Sequence, residues 1–235
     1  MPKKTPGKLN APSPKAAFDQ LPLGKLCVPV KGVFYRLHAF DPGTRAPWPP
    51  IFFSRRGSTR FDPVRGTGTL YLGSTLVGVL MEIFDDRWGP LGDSSRSLTQ
   101  AELDQWWVTL VAMPTVSVFA AHGQNLSKIG TDFQVLSGDH QISRRWALRI
   151  MRHPANVGGI LYPSRHDGTQ RNLALFKRPG LTPSSFDATL QPPAVTHGTG
   201  PAKATSPLIF GPATLLRHHP ELNVALQELE VAILP

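Results

Sequence analysis

Proline and glycine punctuate this chain throughout, supplying 24 and 21 of its 235 residues. Proline fixes φ and removes an amide donor, and glycine eases tight turns, so a chain rich in both is expected to fold as short elements joined by long connections. Hydrophobic residues make up 40% and charged residues 17%, a globular balance, and the length fits one domain. Cys27 stands alone, which rules out an intrachain disulfide and a cysteine-rich zinc site and fits a reducing cytosol. No segment reaches the roughly 18 apolar residues a membrane span needs, and the N-terminus lacks the apolar core of a signal peptide. The expectation is a soluble, cytoplasmic protein.

The formal charge of +9 is unevenly placed. Residues 1–31 hold Lys3, Lys4, Lys8, Lys15, Lys25 and Lys31 against Asp19 alone, so five of the nine net charges lie there. With Pro2, Pro6, Pro12, Pro14, Pro22 and Pro29 in the same stretch, 1–31 reads as a flexible, extended basic arm, and the folded domain is expected over 32–235. No recognisable nucleic-acid motif accompanies the arm, so nucleic acid is a disfavoured partner.

Val33–His38 alternates as a strand, with Val33, Tyr35 and Leu37 on one face and Phe34, Arg36 and His38 on the other. Residues 41–68 are crowded with turn formers and predict a long structured loop. Thr69–Gly73 predicts a short strand, followed by a helix capped by Ser74 and running through Leu76, Val77, Leu80 and Ile83 to about Phe84. Thr99 to Glu102 has capping-box spacing and predicts a helix through Trp106 and Trp107. Further strands are expected at Pro114–Ala120, Ile160–Tyr162 and Asn172–Lys177, and a helix at Ser143–Arg152. Residues 179–207 read as a surface loop, and Glu221–Leu234 mixes helical and strand periodicity.

Three residues stand out chemically. Glu82 is the only residue between Gly66 and Phe84 whose side chain is charged at neutral pH, and Thr75 and Gly78 precede it on one helical stripe of small residues that opens space around the carboxylate. Against this stands the plain reading of a solvated helix face. Arg36 is a lone cation in an apolar strand and needs an anion, either a structural carboxylate or a ligand phosphate. Ser164 follows a strand in Tyr162-Pro163-Ser164-Arg165-His166-Asp167, where a turn role is equally natural. Ser164, His166 and Asp167 are too close in sequence for a spatially assembled triad, and no Gly-x-Ser-x-Gly elbow surrounds the serine. The eight histidines show no metal-ligand spacing, so no metal is expected.

Read in order, these residues resemble the RES domain, a family named for Arg, Glu and Ser. The resemblance is carried by Phe34-Tyr35-Arg36, Thr59-Arg60-Phe61-Asp62-Pro63, Leu70-Tyr71-Leu72, Glu82, Gly159-Ile160-Leu161-Tyr162-Pro163-Ser164-Arg165 and Asn172-Leu173-Ala174-Leu175-Phe176. The family commonly has Arg-Trp-Asn where this chain has Arg60-Phe61-Asp62.

The resemblance implies a single α+β domain with an ADP-ribosyltransferase-like mixed sheet core, flanking helices and long loops. It also implies a toxin that cleaves the nicotinamide–ribose bond of NAD+ by phosphorolysis or hydrolysis, with NAD+ as substrate, inorganic phosphate as the candidate co-substrate, and no resident cofactor. Arg36, Glu82 and Ser164 are then the catalytic candidates. Tyr35, Arg60, Tyr71 and Asn172 are the candidates for substrate binding, the tyrosines against nicotinamide and Arg60 on phosphate. The candidate partners are a cognate Xre-type antitoxin and a second copy of the chain in a homodimer. Two other readings compete: a mono-ADP-ribosyltransferase acting on a macromolecule, and a non-catalytic basic protein that binds nucleic acid.

Overall fold

The alternation expected over Val33–His38 belongs to a longer strand, because its neighbours find pairing partners that composition does not reveal. The computed structural model describes residues 12, 14–41, 43–44, 46–84, 88, 96–164, 168–185, 196–197 and 208–234. In chain order its elements are α1 (Lys15–Asp19), β1 (Cys27–Ala39), β2 (Thr69–Gly73), α2 (Leu76–Phe84), β3 (Ser97–Thr99), α3 (Gln100–Leu103), β4 (Trp106–Ala120), α4 (Gln124–Lys128) and α5 (Gln134–Ser137). There follow α6 (His140–Met151), β5 (Gly159–Pro163), β6 (Arg171–Phe176), β7 (Pro183–Ser185), β8 (Thr196–His197), β9 (Leu208–Phe210), β10 (Thr214–Leu215), α7 (Leu222–Glu228) and β11 (Ala232–Leu234). A mixed sheet with helices around it is the α+β architecture expected.

The strand pairings return on themselves. β1 runs antiparallel to β4 from Cys27 opposite Phe119 to Ala39 opposite Trp106. β4 pairs in parallel with β5, β5 antiparallel with β6, and β6 antiparallel with β2. β2 meets β1 at a single position, Gly73 opposite Tyr35. These five strands therefore form a closed circuit, to which β8 adds at β1 and β9 and β10 at β4. One apolar cluster, including Phe34, Leu70, Leu72, Val111, Val118, Leu161 and Leu173, draws on all five strands. A second packs α2 and α7 on β1 through Leu80, Phe84, Leu226 and Leu37. A third packs α4, α5 and α6 on β5 and β6 through Leu126, Leu136, Trp146, Ile160 and Phe176. Each such side chain contributes about 1.5–3 kcal/mol on burial.

Several boundaries differ from expectation, each for a local reason. The capping box is real, since the Thr99 side chain accepts from the Glu102 amide and the Glu102 side chain accepts from the Thr99 amide. The helix it opens nonetheless ends at Leu103, and Trp106 and Trp107 begin β4 opposite Ala39 and His38. Aromatic residues suit a half-buried pleated surface, and pairing decides the outcome. The strand expected from Pro114 starts eight residues earlier. Pro114 lies inside β4, where the register with β1 shifts between Val30 and Gly32, and Gly32 takes a φ of 149°. Proline cannot donate to the ladder, so the irregularity falls there. The hydroxyl that caps α2 is that of Thr75, which accepts from the Gly78 amide at 3.0 Å, rather than that of Ser74. Helix α6 starts at His140 instead of Ser143, with Asp139 accepting from the Gln141 amide at 2.7 Å. The ambiguous C-terminal stretch contains both periodicities in succession, α7 and then β11.

The basic arm needs correction. Residues 1–11 and 13 lie outside the described residues, but the chain from Pro14 onward is part of the fold. Phe18 and Leu23 are fully buried, with Phe18 edge-on to Trp146 at 6.0 Å, and β1 begins at Cys27. Proline density suggested an arm; the apolar residues between the prolines pull the segment onto α6. Of the expected loop 179–207, residues 183–185 and 196–197 form the short strands β7 and β8, and 186–195 and 198–207 lie outside the described residues.

Candidate functional site

A cleft of about 330 Å3 opens where the C-terminal end of α2, strands β2, β5 and β6, and loop residues 58–60 meet α5 and the start of α6. Arg36, Arg60, Tyr71, Glu82, Tyr162 and Asn172 all line it. Glu82 is on the exposed side of α2 and its carboxylate is held from β5 and β6. Asn172 Nδ2 donates to Glu82 Oε1 at 2.9 Å, and the Tyr162 hydroxyl donates to Oε2 at 3.5 Å. Burial first, and then the neighbouring Glu82, raise the pKa of Tyr162 well above that of a free phenol, so it remains a donor.

The small-residue stripe of α2 has a different use from the one expected. A Cβ on Gly78 would come within 3.2 Å of Thr75 Oγ1, 3.4 Å of Asn172 Oδ1 and 3.5 Å of Gln170 Oε1. The space is thus occupied by the side chains of Thr75, Gln170 and Asn172. Thr75 donates to Gln170 at 2.5 Å, and Asn172 reaches past Gly78 to the carboxylate. Glycine lets α2 approach β6 closely enough for this hydrogen bond.

Arg36 lacks the structural salt bridge that its sequence setting allowed. Its Nη1 donates to the Tyr71 carbonyl at 3.1 Å, while Nε is buried without a hydrogen-bond partner, and among the described residues no carboxylate pairs with the guanidinium. Burial lowers its pKa to about 10, still high enough for a full positive charge at neutral pH. Arg36 stands beside the one-residue seam between β1 and β2, where the loss of further pairing leaves room for it to reach the cleft. Arg60 is tethered on the other side, Nη1 donating to the Gly138 carbonyl at 2.7 Å and to Ser143 Oγ at 3.3 Å. The Tyr71 hydroxyl receives the Phe61 amide at 2.6 Å and the Thr59 hydroxyl at 3.0 Å, so this ring also fixes the loop that carries Arg60. Asp62 turns inward and accepts from Ser54 Oγ and the Gly57 amide. It holds the loop and is absent from the cleft lining.

Two candidates lie elsewhere. Tyr35 faces α7, where its hydroxyl donates to both oxygens of Glu221 at 2.9 and 2.7 Å, so it does not reach the cleft. Ser164 is buried just beyond β5, its amide donating to the Gln170 carbonyl at 3.1 Å to join β5 to β6, and it is not among the lining residues. His166 and Asp167 lie outside the described residues. Sequence reasoning missed Tyr162 and His140. Tyr162 lies two residues before Ser164 in a strand that is apolar throughout, so periodicity did not reveal which face it serves. His140 opens α6 at the cleft, and burial, followed by the charges of Arg60 and Arg144, lowers its pKa.

A mixed sheet with flanking helices, its strand circuit bringing to one cleft a hydrogen-bonded carboxylate and a buried arginine with no carboxylate partner among the described residues, defines the α+β class of this domain. Within it, the chain belongs to the RES domain family, whose model matches residues 33–191. Among solved structures it is similar to a chain of the M. tuberculosis MbcT–MbcA toxin–antitoxin complex, at 14% identity and a TM-score of 0.48, over 69% of this chain and 86% of that one. No curated protein matches. Among the described residues no helix is long and apolar enough to cross a membrane.

Proposed function

We propose that the protein breaks the N-glycosidic bond between ribose C1′ and nicotinamide in NAD+, and acts as a toxin restrained by a cognate antitoxin. The observation that carries the chemistry is the opposition of charges in one cleft: Glu82 held by Asn172 and Tyr162, and Arg36 with a spare N–H and, among the described residues, no carboxylate partner. As the bond breaks, its electron pair leaves with nicotinamide and positive charge builds on C1′. A carboxylate fixed in advance stabilises that charge more than it stabilises the ground state. Arg36, with Arg60, matches the pyrophosphate of NAD+ or an incoming inorganic phosphate. Water or phosphate supplies the new bond to C1′ and releases its proton to solvent. The toxin role and an Xre-type antitoxin rest on membership of the family.

Incubation of the folded protein with NAD+, with and without phosphate, tests the reading by chromatography of the products. Nicotinamide is expected, together with ADP-ribose for hydrolysis or ADP-ribose 1″-phosphate for phosphorolysis. No nicotinamide under either condition would overturn it. Glu82→Gln keeps the hydrogen-bonding shape and removes the charge, so kcat should fall by about 10²–10³ with KM changed only a few-fold.

A further inference from the structure

Beside the cleft lies a surface that the NAD+ reading does not use. Loop residues 57–67 run along α6: Arg144 donates to the Gly57 carbonyl at 2.6 Å, Arg152 donates to the Arg65 carbonyl at 2.9 Å, and the Thr67 amide meets Met151 Sδ at 3.1 Å. This docking lines up arginines from two segments. Arg55, Arg56 and Arg65 are exposed on the loop, and Arg145, Arg149 and Arg152 recur at i, i+4 and i+7 along α6, spanning about 10 Å. Among the described residues, none of the six forms an ion pair with a carboxylate. Residues 140–152 contain no acid, and the one acid in 54–67, Asp62, is fully buried. Arg145, Arg149 and Arg152 also line, with Pro12 and Leu148, a groove of about 260 Å3 that continues this face. At its edge Trp48 and Phe52 pack with ring centroids 6.0 Å apart, Arg56 lies 5.5 Å from the Trp48 centroid, and Phe52 is exposed.

We propose that this face binds a single-stranded polynucleotide, the arginines taking phosphates and the Trp48–Phe52 pair stacking on bases. Unpaired cations of one sign recruit a polyphosphate backbone by releasing its counterions, without reading sequence. Aromatic rings beside such a ridge favour a single strand, whose bases are free to stack. An acidic peptide would use the cations but leave the aromatic pair without a role. The surface meets the cleft at Ser58, Thr59 and Arg60, so a bound strand passes the rim of the NAD+ site without occupying it.

Fluorescence anisotropy of the full chain with a labelled RNA or DNA strand of about 16 nucleotides tests this. Binding is expected for at least one strand, with a slope of log K against log salt of roughly −4 if six phosphates are neutralised. R55A/R56A and R145A/R149A should each weaken binding roughly tenfold or more and flatten the slope by about 1.4, with the arm lysines left in place. F52A should weaken single-strand binding and spare duplex binding. The variants change exposed or, at Arg149, half-buried side chains outside the cleft, and unchanged circular dichroism confirms their fold. The proposal is overturned if neither strand binds at low salt, if the arginine pairs leave affinity and slope unchanged, or if polyglutamate competes as well as the oligonucleotide.

Discussion

Asn172 shows most directly how one side chain serves the cleft. Its Nδ2 orients Glu82, and its Oδ1 is buried without a partner, so the amide adds orientation rather than broad packing. Loss of that orientation with the carboxylate still present should lower kcat. Asn172→Ala is expected to reduce kcat by about 10²-fold with a small change in KM, and Asn172→Asp should be worse because two carboxylates then face each other. Steady-state kinetics on nicotinamide release separates these outcomes, and an Asp variant more active than the Ala variant would remove Asn172 from this role. Much of the site was legible at this scale. Glu82 was conspicuous because an ionised side chain in an apolar stretch needs a reason, and Arg36 for the same cause. Tyr35 was misplaced because its hydroxyl is drawn to Glu221 beside α7, a partner 186 residues away that no local pattern reveals. Tyr162 and His140 come to the cleft through long-range packing, which no local pattern encodes.

Among the elements, strands were easier to find than to delimit. Thr69–Gly73 agrees with its prediction because glycine and a capped helix bound it, whereas β1 and β4 outrun theirs because each is extended by the other. Trp106 and Trp107 joined a strand although a good capping box pointed to a helix, an instance of pairing overriding a local signal. The glycine that opens β5 is explained by approach distance. A Cβ on Gly159 would lie 2.6 Å from the Ala174 carbonyl oxygen and 3.1 Å from Leu175 Cα, both on the backbone of the paired strand. Side-chain rotation relieves neither contact. Gly159→Ala should therefore push β5 from β6 and destabilise the protein by roughly 2–4 kcal/mol, read from the midpoint of urea unfolding. An unchanged midpoint would show that the two strands separate at little cost.

For the whole molecule, acid is the expected weakness. His38 is buried, with Nδ1 2.7 Å from the Trp48 carbonyl and Nε2 2.9 Å from Thr109 Oγ1. Burial, followed by the charge of Arg36, lowers its pKa from 6.5 to about 4. The unfolded chain takes up a proton below about pH 6.5 that the folded protein refuses until about 4. Stability from this residue is thus complete above pH 6.5 and declines as pH falls toward 4, by roughly 3 kcal/mol in all. His140 and His219, also lowered by burial, act in the same direction. Urea midpoints at pH 7 and pH 4.5 should differ clearly for the native chain and less for His38→Gln; equal losses would assign the acid sensitivity to other groups. The sequence foretold the single mixed domain, but not the closure of its strands, because closure depends on pairings such as Cys27 with Phe119 that lie far apart in the chain. That closure bears on access to the cleft. A circuit of strands has no hinge, and parting the walls that bear Arg36 and Asn172 means rupturing a seam. The part of the rim that lies outside the circuit is the loop around residues 58–60 and the junction of α5 with α6, bound to each other through Arg60 and Gly138. Under the proposed function, entry and release are therefore expected at that rim, over a floor that the closed circuit of strands holds in place.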